Sequence, residues 1–218
     1  MKREVLILGA GDHGQVVADI LLAARAQGAG DTPVGFLDDD ERLRGARFLG
    51  LPVLGTISEL SDTPHDAVIV AIGDNAVRRR LYPALRERGE RLVNAIHPTA
   101  TLASGVRLGE GVMICAGAVL ETGCIIGNAA IVNTNCVIGH HSRLGDYAHI
   151  SGCAVIGGHV QIGEGAMVGI GSAILPGLTV GDWSVVGVGS AAARDVPAQC
   201  VAMGVPARII PWDRRRDG

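Results

Sequence analysis

From residue 100 onward the apolar positions of the chain return every six residues. Aliphatic side chains occupy Leu102, Leu108, Ile114, Leu120, Ile126, Val132, Ile138, Leu144, Ile150, Ile156, Ile162, Val168, Ile174, Val180 and Val186, with no insertion between them. The positions two residues earlier, from Ala100 to Ser184, are Ala, Val, Cys or Ser in fourteen of fifteen cases, Leu178 being the exception. Glycine follows the aliphatic at 109, 127, 139, 145, 157, 163, 169, 181 and 187. A period of six matches neither the 3.6 of a helix nor the 2 of a lone strand. It is the beat of a hexapeptide β-helix, in which each hexad gives one short parallel strand and one corner. Three hexads close a coil, so residues about 18 apart stack on one another. Exposed coil ends and flat outer faces make self-association an expectation.

Residues 1–97 lack the beat. "REVLILGAGDHGQVVADILLAARAQG" reads as a buried strand, a glycine-rich turn and an amphipathic helix. "VGFLDDD" and "DAVIVAIGD" read as further strands ending in acids, and "NAVRRRLYPALRERGE" reads as a helix. Alternating β and α signals predict a small Rossmann-like α/β unit with a parallel sheet. The expected division is therefore residues 1–97 and 98–218. Gly9, Gly11 and Gly14 form G-x-G-x-x-G between the first strand and the helix, where backbone and helix terminus suit an anion. Asp38, Asp39 and Asp40 end the second strand, where a dinucleotide fold keeps a ribose-binding carboxylate. The unit is about half a full dinucleotide fold, so a nucleotide other than NAD is expected. The alternative is a packing turn beside a solvated acidic loop.

Composition narrows the picture. Hydrophobic residues make up 48% of the 218-residue chain, but aromatics only 3%, with 32 glycines. Val, Ile, Leu and Ala must then fill a narrow core, as a thin coil requires. The formal net charge of −3 gives no basic field for a nucleic acid, and the basic run Arg214–Arg216 reads as a solvated tail. Five cysteines without a C-x-x-C pair point to reduced thiols and a cytoplasmic protein. The apolar run near the N-terminus is too short for a signal peptide, and no window predicts a membrane span.

A βαβ segment carrying "GAGDHG", then "IHPTA" at 96–100, an unbroken hexapeptide coil and "MGVPARII" at 203–210 resembles one family. It is similar to the hexapeptide-repeat acetyltransferases of nucleotide-linked amino sugars, related to the sialic acid O-acetyltransferases. The resemblance implies a left-handed coil, a homotrimer, and acetyl-CoA lying along the coil between two subunits. It implies that the first domain holds the nucleotide-sugar, lined by Gly9, Gly11, His13, Gly14, Asp38 and Asp39. The family's N-T-x-x-V-I-x-H motif reads Asn133 to His140 here, which makes His140 the general base and puts His149 near the acetyl-thioester. The residues expected to contact coenzyme A are His149, Gly158, Ile170 and Gly187.

Acetyl transfer to an amine needs a group to take a proton and a donor for the developing oxyanion, and an imidazole suits the first task. Position 158, one rung from His140, is a glycine preceded by Gly157, so its N–H is open to act as oxyanion donor. The family uses a glycine amide there. His141 is a departure, since the family commonly has Asp or Glu after the base. The orienting task then falls to substrate, to water or to Asn133, and His141 stays among the candidate catalytic residues. His159 lies one rung from His141, but Gly123 and Gly177 on neighbouring rungs offer no third ligand, so no metal is expected. His65, His97 and His159 read as structural. Cys136 points inward and Cys153 lacks an activating context, so direct transfer is expected rather than a thioester on the enzyme. The leading reading is an acetyl-CoA-dependent N-acetyltransferase of a nucleotide-linked amino sugar, one carrying a 4-amino-deoxy sugar for surface glycans. The alternatives are O-acetylation of a sugar hydroxyl, a non-catalytic nucleotide-sugar scaffold and, last, an NAD-binding oxidoreductase.

Overall fold

The computed structural model describes residues 2–28 and 30–211, which leaves Arg214–Arg216 outside the described residues. The chain divides into two compact units, residues 1–98 with 110–113, and residues 99–109 with 114–218.

In the first unit β1 (Glu4–Leu8) is buried from Val5 to Leu8 and lies between β2 (Thr32–Leu37) and β5 (Ala67–Val70), parallel to both. β3 (Arg47–Phe48) and β4 (Leu51–Gly55) complete a five-stranded sheet of order β3-β4-β2-β1-β5, with only the β3–β4 pair antiparallel. Helix α1 (Asp12–Ala26) turns Val17, Ala18, Ile20 and Leu21 to the core. Helix α2 (Asn75–Glu87) buries Arg78, Tyr82 and Leu85, the i, i+4, i+7 stripe of an amphipathic helix with an arginine on it. The carboxyl ends of β1, β2 and β5 run into the Gly9 turn, Asp38 and Ala71 respectively, so the sheet gathers these loops at one edge.

The second unit is a parallel β-helix of two-residue strands in three ladders. One ladder stacks Thr101–Leu102, Val119–Leu120, Val137–Ile138, Val155–Ile156, Ala173–Ile174 and Ala191–Ala192. The second stacks Arg107–Leu108, Ile125–Ile126, Arg143–Leu144, Gln161–Ile162 and Thr179–Val180. The third includes Ile131–Val132, His149–Ile150, Met167–Val168 and Val185–Val186, and ends in the hairpin Cys200–Gly204 and Ala207–Pro211. Partners are 18 residues apart along the coil, as in Val137 with Val155 and Ile138 with Ile156, until the last rung, where Val185 pairs with Val201 across 16 residues. The second residue of each strand points inward, and Leu120, Ile138, Ile156 and Ile150 are all at most 1% exposed.

The small residues at the corners do more than save space. Ser142 Oγ donates to the Gly157 carbonyl at 2.8 Å and accepts from the Val160 N–H at 3.0 Å, which ties one coil to the next. Cys136 Sγ donates to the Ser151 carbonyl at 2.9 Å. Burial pushes the Cys115 thiol up to about 12 and the Cys136 thiol up to about 11. Both stay protonated at neutral pH and have no nucleophilic role. Gly139 shows how close the coils pass: a Cβ there would lie 2.5 Å from the Gly157 carbonyl carbon and 2.6 Å from the Gly158 nitrogen.

His65 anchors the first unit, with Nδ1 2.7 Å from the Thr63 carbonyl and Nε2 2.9 Å from the Glu90 carboxylate. Burial lowers its affinity for a proton, but the Thr63 and Glu90 contacts outweigh that, and the imidazole titrates above its ordinary value of about 6.5. The unfolded chain binds this proton less tightly, so the contribution to stability is complete below about pH 6.5 and is lost as pH rises through the raised folded value. Calorimetric melts between pH 6 and pH 8 should show a fall in Tm on the alkaline side that is reduced in His65→Gln.

Candidate functional site

In the first unit the glycine-rich turn is held from two sides. The Gly9 N–H donates to the Leu37 carbonyl at 2.8 Å, and the Ala10 N–H donates to Asp38 Oδ2 at 2.6 Å. Gly9 has φ +110, and a Cβ there would stand 2.9 Å from both the Ala71 carbonyl oxygen and Ile72 Cγ1. Gly14 passes closer still, against the Gly9 carbonyl, which only a residue without a side chain allows. Gly11 caps α1 without a side-chain hydrogen bond, so the first amides of the helix face outward beside the turn. Gly9, Gly11, His13, Gly14 and Asp38 thus share one edge of the sheet. Asp39 is engaged elsewhere, accepting from the Ile57 N–H at 3.0 Å, and Asp40 pairs with Arg42 at 2.7 Å.

His13 is pushed down to about 4, first by burial and then by the positive charge of Arg78. It is neutral at pH 7, with Nε2 3.4 Å from Met113 Sδ. Arg78 was not singled out by its sequence context, yet it is 0% exposed. Its guanidinium donates to the Ile72 carbonyl at 3.0 Å, the Gly73 carbonyl at 2.8 Å and Asn75 Oδ1 at 2.9 Å. Burial brings it down to about 10, against the opposing pull of Asp74, so it remains a cation. Arg78 therefore braces the loop after β5, the same loop whose Ala71 and Ile72 crowd Gly9. The signal that could have found it is its place on the buried stripe with Tyr82 and Leu85.

In the second unit His140 and Gly158 are one rung apart and in contact. A Cβ on Gly158 would lie 2.5 Å from both Cε1 and Nε2 of His140, so the imidazole rests directly on the glycine. Among the described residues the Gly158 N–H has no hydrogen-bond acceptor, although the Gly158 carbonyl accepts from Gly177 at 2.9 Å. The His140 N–H donates to Glu121 Oε2 at 2.8 Å, a carboxylate from the coil before. Glu121 went unnoticed because only stacking brings it to His140.

His141 sits over Gly123, and its ring centroid is 5.6 Å from that of His140. His159, read from sequence as structural, stands 5.0 Å from His140 and 5.1 Å from His141. Three imidazoles therefore share this corner. Among the described residues no group of three or more His, Cys, Asp or Glu is arranged to hold a metal ion.

The other predicted site residues lie away from this corner within the chain. Asn133 is at the preceding corner, one face away, with Oδ1 accepting the Thr134 N–H at 2.7 Å. His149 faces outward from the third ladder, beside Met167, while His140 follows the first. Ile170 is 58% exposed at the corner after the third ladder. Gly187 lies on that same corner, with its N–H donating to the Ala202 carbonyl at 2.8 Å.

Comparison with known proteins follows the two units. Residues 4–85 match the PglD N-terminal domain family, and residues 93–185 match the GMPPB C-terminal domain family. A UDP-N-acetylbacillosamine N-acetyltransferase of Bacillus subtilis is 35% identical over 119 residues, so the aligned part spans about half the length of each chain (52% in both). A histidine-to-asparagine variant of perosamine N-acetyltransferase from Caulobacter crescentus, solved with CoA and GDP-perosamine, is 38% identical with a TM-score of 0.87. That likeness covers 96% of this chain and 97% of the other. The acetyltransferase domain of PglB from Neisseria gonorrhoeae, solved with acetyl coenzyme A, is 33% identical with a TM-score of 0.88, covering 96% and 100%.

The contact between Gly158 and His140 separates geometry from stability. Gly158→Ala should cost less than about 1 kcal/mol of stability, because the atoms in its way are the far end of a side chain that can turn aside. The same change should displace the His140 ring, read as a shifted Hε1 resonance in the histidine region of the proton spectrum.

Proposed function

The chain belongs to the hexapeptide-repeat, left-handed β-helix acetyltransferases of nucleotide-linked amino sugars, and on that premise we propose that it transfers the acetyl group of acetyl-CoA to the amine of a nucleotide-linked 4-amino-deoxy sugar used in surface glycans. The observation that carries this reading is the pairing of His140 with Gly158, an imidazole one rung from an amide whose N–H has no acceptor among the described residues. His140 takes a proton from the amine as its nitrogen bonds to the thioester carbonyl carbon. Gly158 donates to the oxyanion that forms, a kind of contact worth about 10²–10³ in rate. The C–S bond then breaks, and the proton on His140 leaves with the thiolate of coenzyme A. Asp38 and the turn from Gly9 to Gly14 hold the nucleotide, with His13 contributing as a neutral group.

A homotrimer with sites between subunits is part of this reading. His140 and His149 lie on different sides of one prism, so a second copy is needed to bring such residues to one site. Exposed aliphatics on the coil, including Val155 (47%), Leu175 (54%) and Val188 (72%), support that association. A cytoplasmic location fits five free cysteines. No helix among the described residues is long and apolar enough to cross a membrane.

The test is thiol release from acetyl-CoA against UDP-, GDP- and dTDP-linked 4-amino sugars, beside His140→Ala. Turnover with one acceptor, reduced about 10²–10⁴-fold in the variant, is expected. Undiminished turnover would remove His140 as the base, and silence across the panel would overturn the amino-sugar reading. Light scattering should give about three times the 22.4 kDa of one chain.

A further inference from the structure

The corner column that carries His141 and His159 has glycine on its other rungs. Gly105, Gly123 and Gly177 have φ of +75, +74 and +75, and the two histidines take the same left-handed conformation at +59. A residue with a Cβ is disfavoured there relative to glycine. Two adjacent rungs thus depart from the column's own residue, and both departures are imidazoles packed on His140.

Their rings stand nearly perpendicular to that of His140, at 85° for His159 and 81° for His141. The His159 N–H also donates to the His140 carbonyl at 2.8 Å, which fixes the two residues to each other. The charged groups on the rungs around them are few. Glu121, one coil back, accepts the His140 N–H. Arg143 opens the strand after His141, with Gln161 beside it on the next rung and Ile125 on the rung before.

We propose that His159 is a positioning residue for His140: its ring walls the imidazole in place over Gly158, His141 forming the second wall. The three ring centroids stand 5.0 to 5.6 Å apart, so the His140 ring is bounded by both neighbours and by the glycine beneath it. This inference rests on the reading of His140 as the base.

The decisive variants are His159→Gly, which restores the residue the column uses elsewhere, and His159→Asn, which tolerates a positive φ and keeps part of the wall. Two readouts are taken on the full chain: kcat and KM for acetyl transfer, and the nuclear Overhauser contact between His140 Hε1 and the Gly158 α-protons in the protein without substrates. In His159→Gly the contact should weaken and kcat should fall roughly tenfold or more, with a smaller loss of both in His159→Asn, while KM for acetyl-CoA stays within about twofold. A contact and a kcat unchanged in both variants would overturn the proposal. If no sugar is acetylated, the Overhauser contact still decides whether the ring is held, so the enzymatic reading and this one fail separately.

Discussion

The distance between stacked coils governs almost everything in the second unit. Parallel strands lie about 4.8 Å apart, and each coil consumes 18 residues, so every side chain meets the residue 18 positions away. A large residue in the wrong column is therefore excluded, and a glycine in the right one becomes a seat. Gly158 is the clearest case, because removing its side chain lets the His140 imidazole rest on the backbone of the next rung. The same spacing aligns Ser142 with Val160, and leaves the Gly158 amide without an acceptor among the described residues, beside His140.

The first unit solves a different problem, that of bringing loops from three strands close together at one edge of the sheet. Glycine supplies the clearance at Gly9 and Gly14, and Asp38 ties the turn to the end of β2. A buried cation completes the frame. Arg78 satisfies the Ile72 and Gly73 carbonyls from within, and its charge helps keep His13 neutral. A buried arginine is tolerable because each donor named here meets an oxygen; an isolated one would carry a large desolvation penalty. The result is a glycine turn braced on one side by Asp38 and on the other by the loop that Arg78 holds.

The cluster at residues 140, 141 and 159 joins these themes. The His140 ring is held between the Gly158 backbone and two other imidazoles. Glu121 is present, but its carboxylate is engaged by the backbone of His140.

The sequence by itself determined the coil, its period, the inward positions from Leu102 to Val186 and the contact of position 140 with position 158. Those follow from a repeat without insertions, in which residue number alone gives height and face. It also marked the glycine turn and the acids after the second strand, because clearance and the end of a strand leave local signatures. It did not separate Asp38, which holds the turn, from Asp39, which caps a different segment, since both are acids in one run. It missed Glu121 at the base, and gave no sign that Arg78 would face inward. His159 it placed on the right rung but assigned no task, because ring orientation, not register, brings it to His140. Register is written in spacing, whereas the direction and partners of a side chain are settled only by what packs around it.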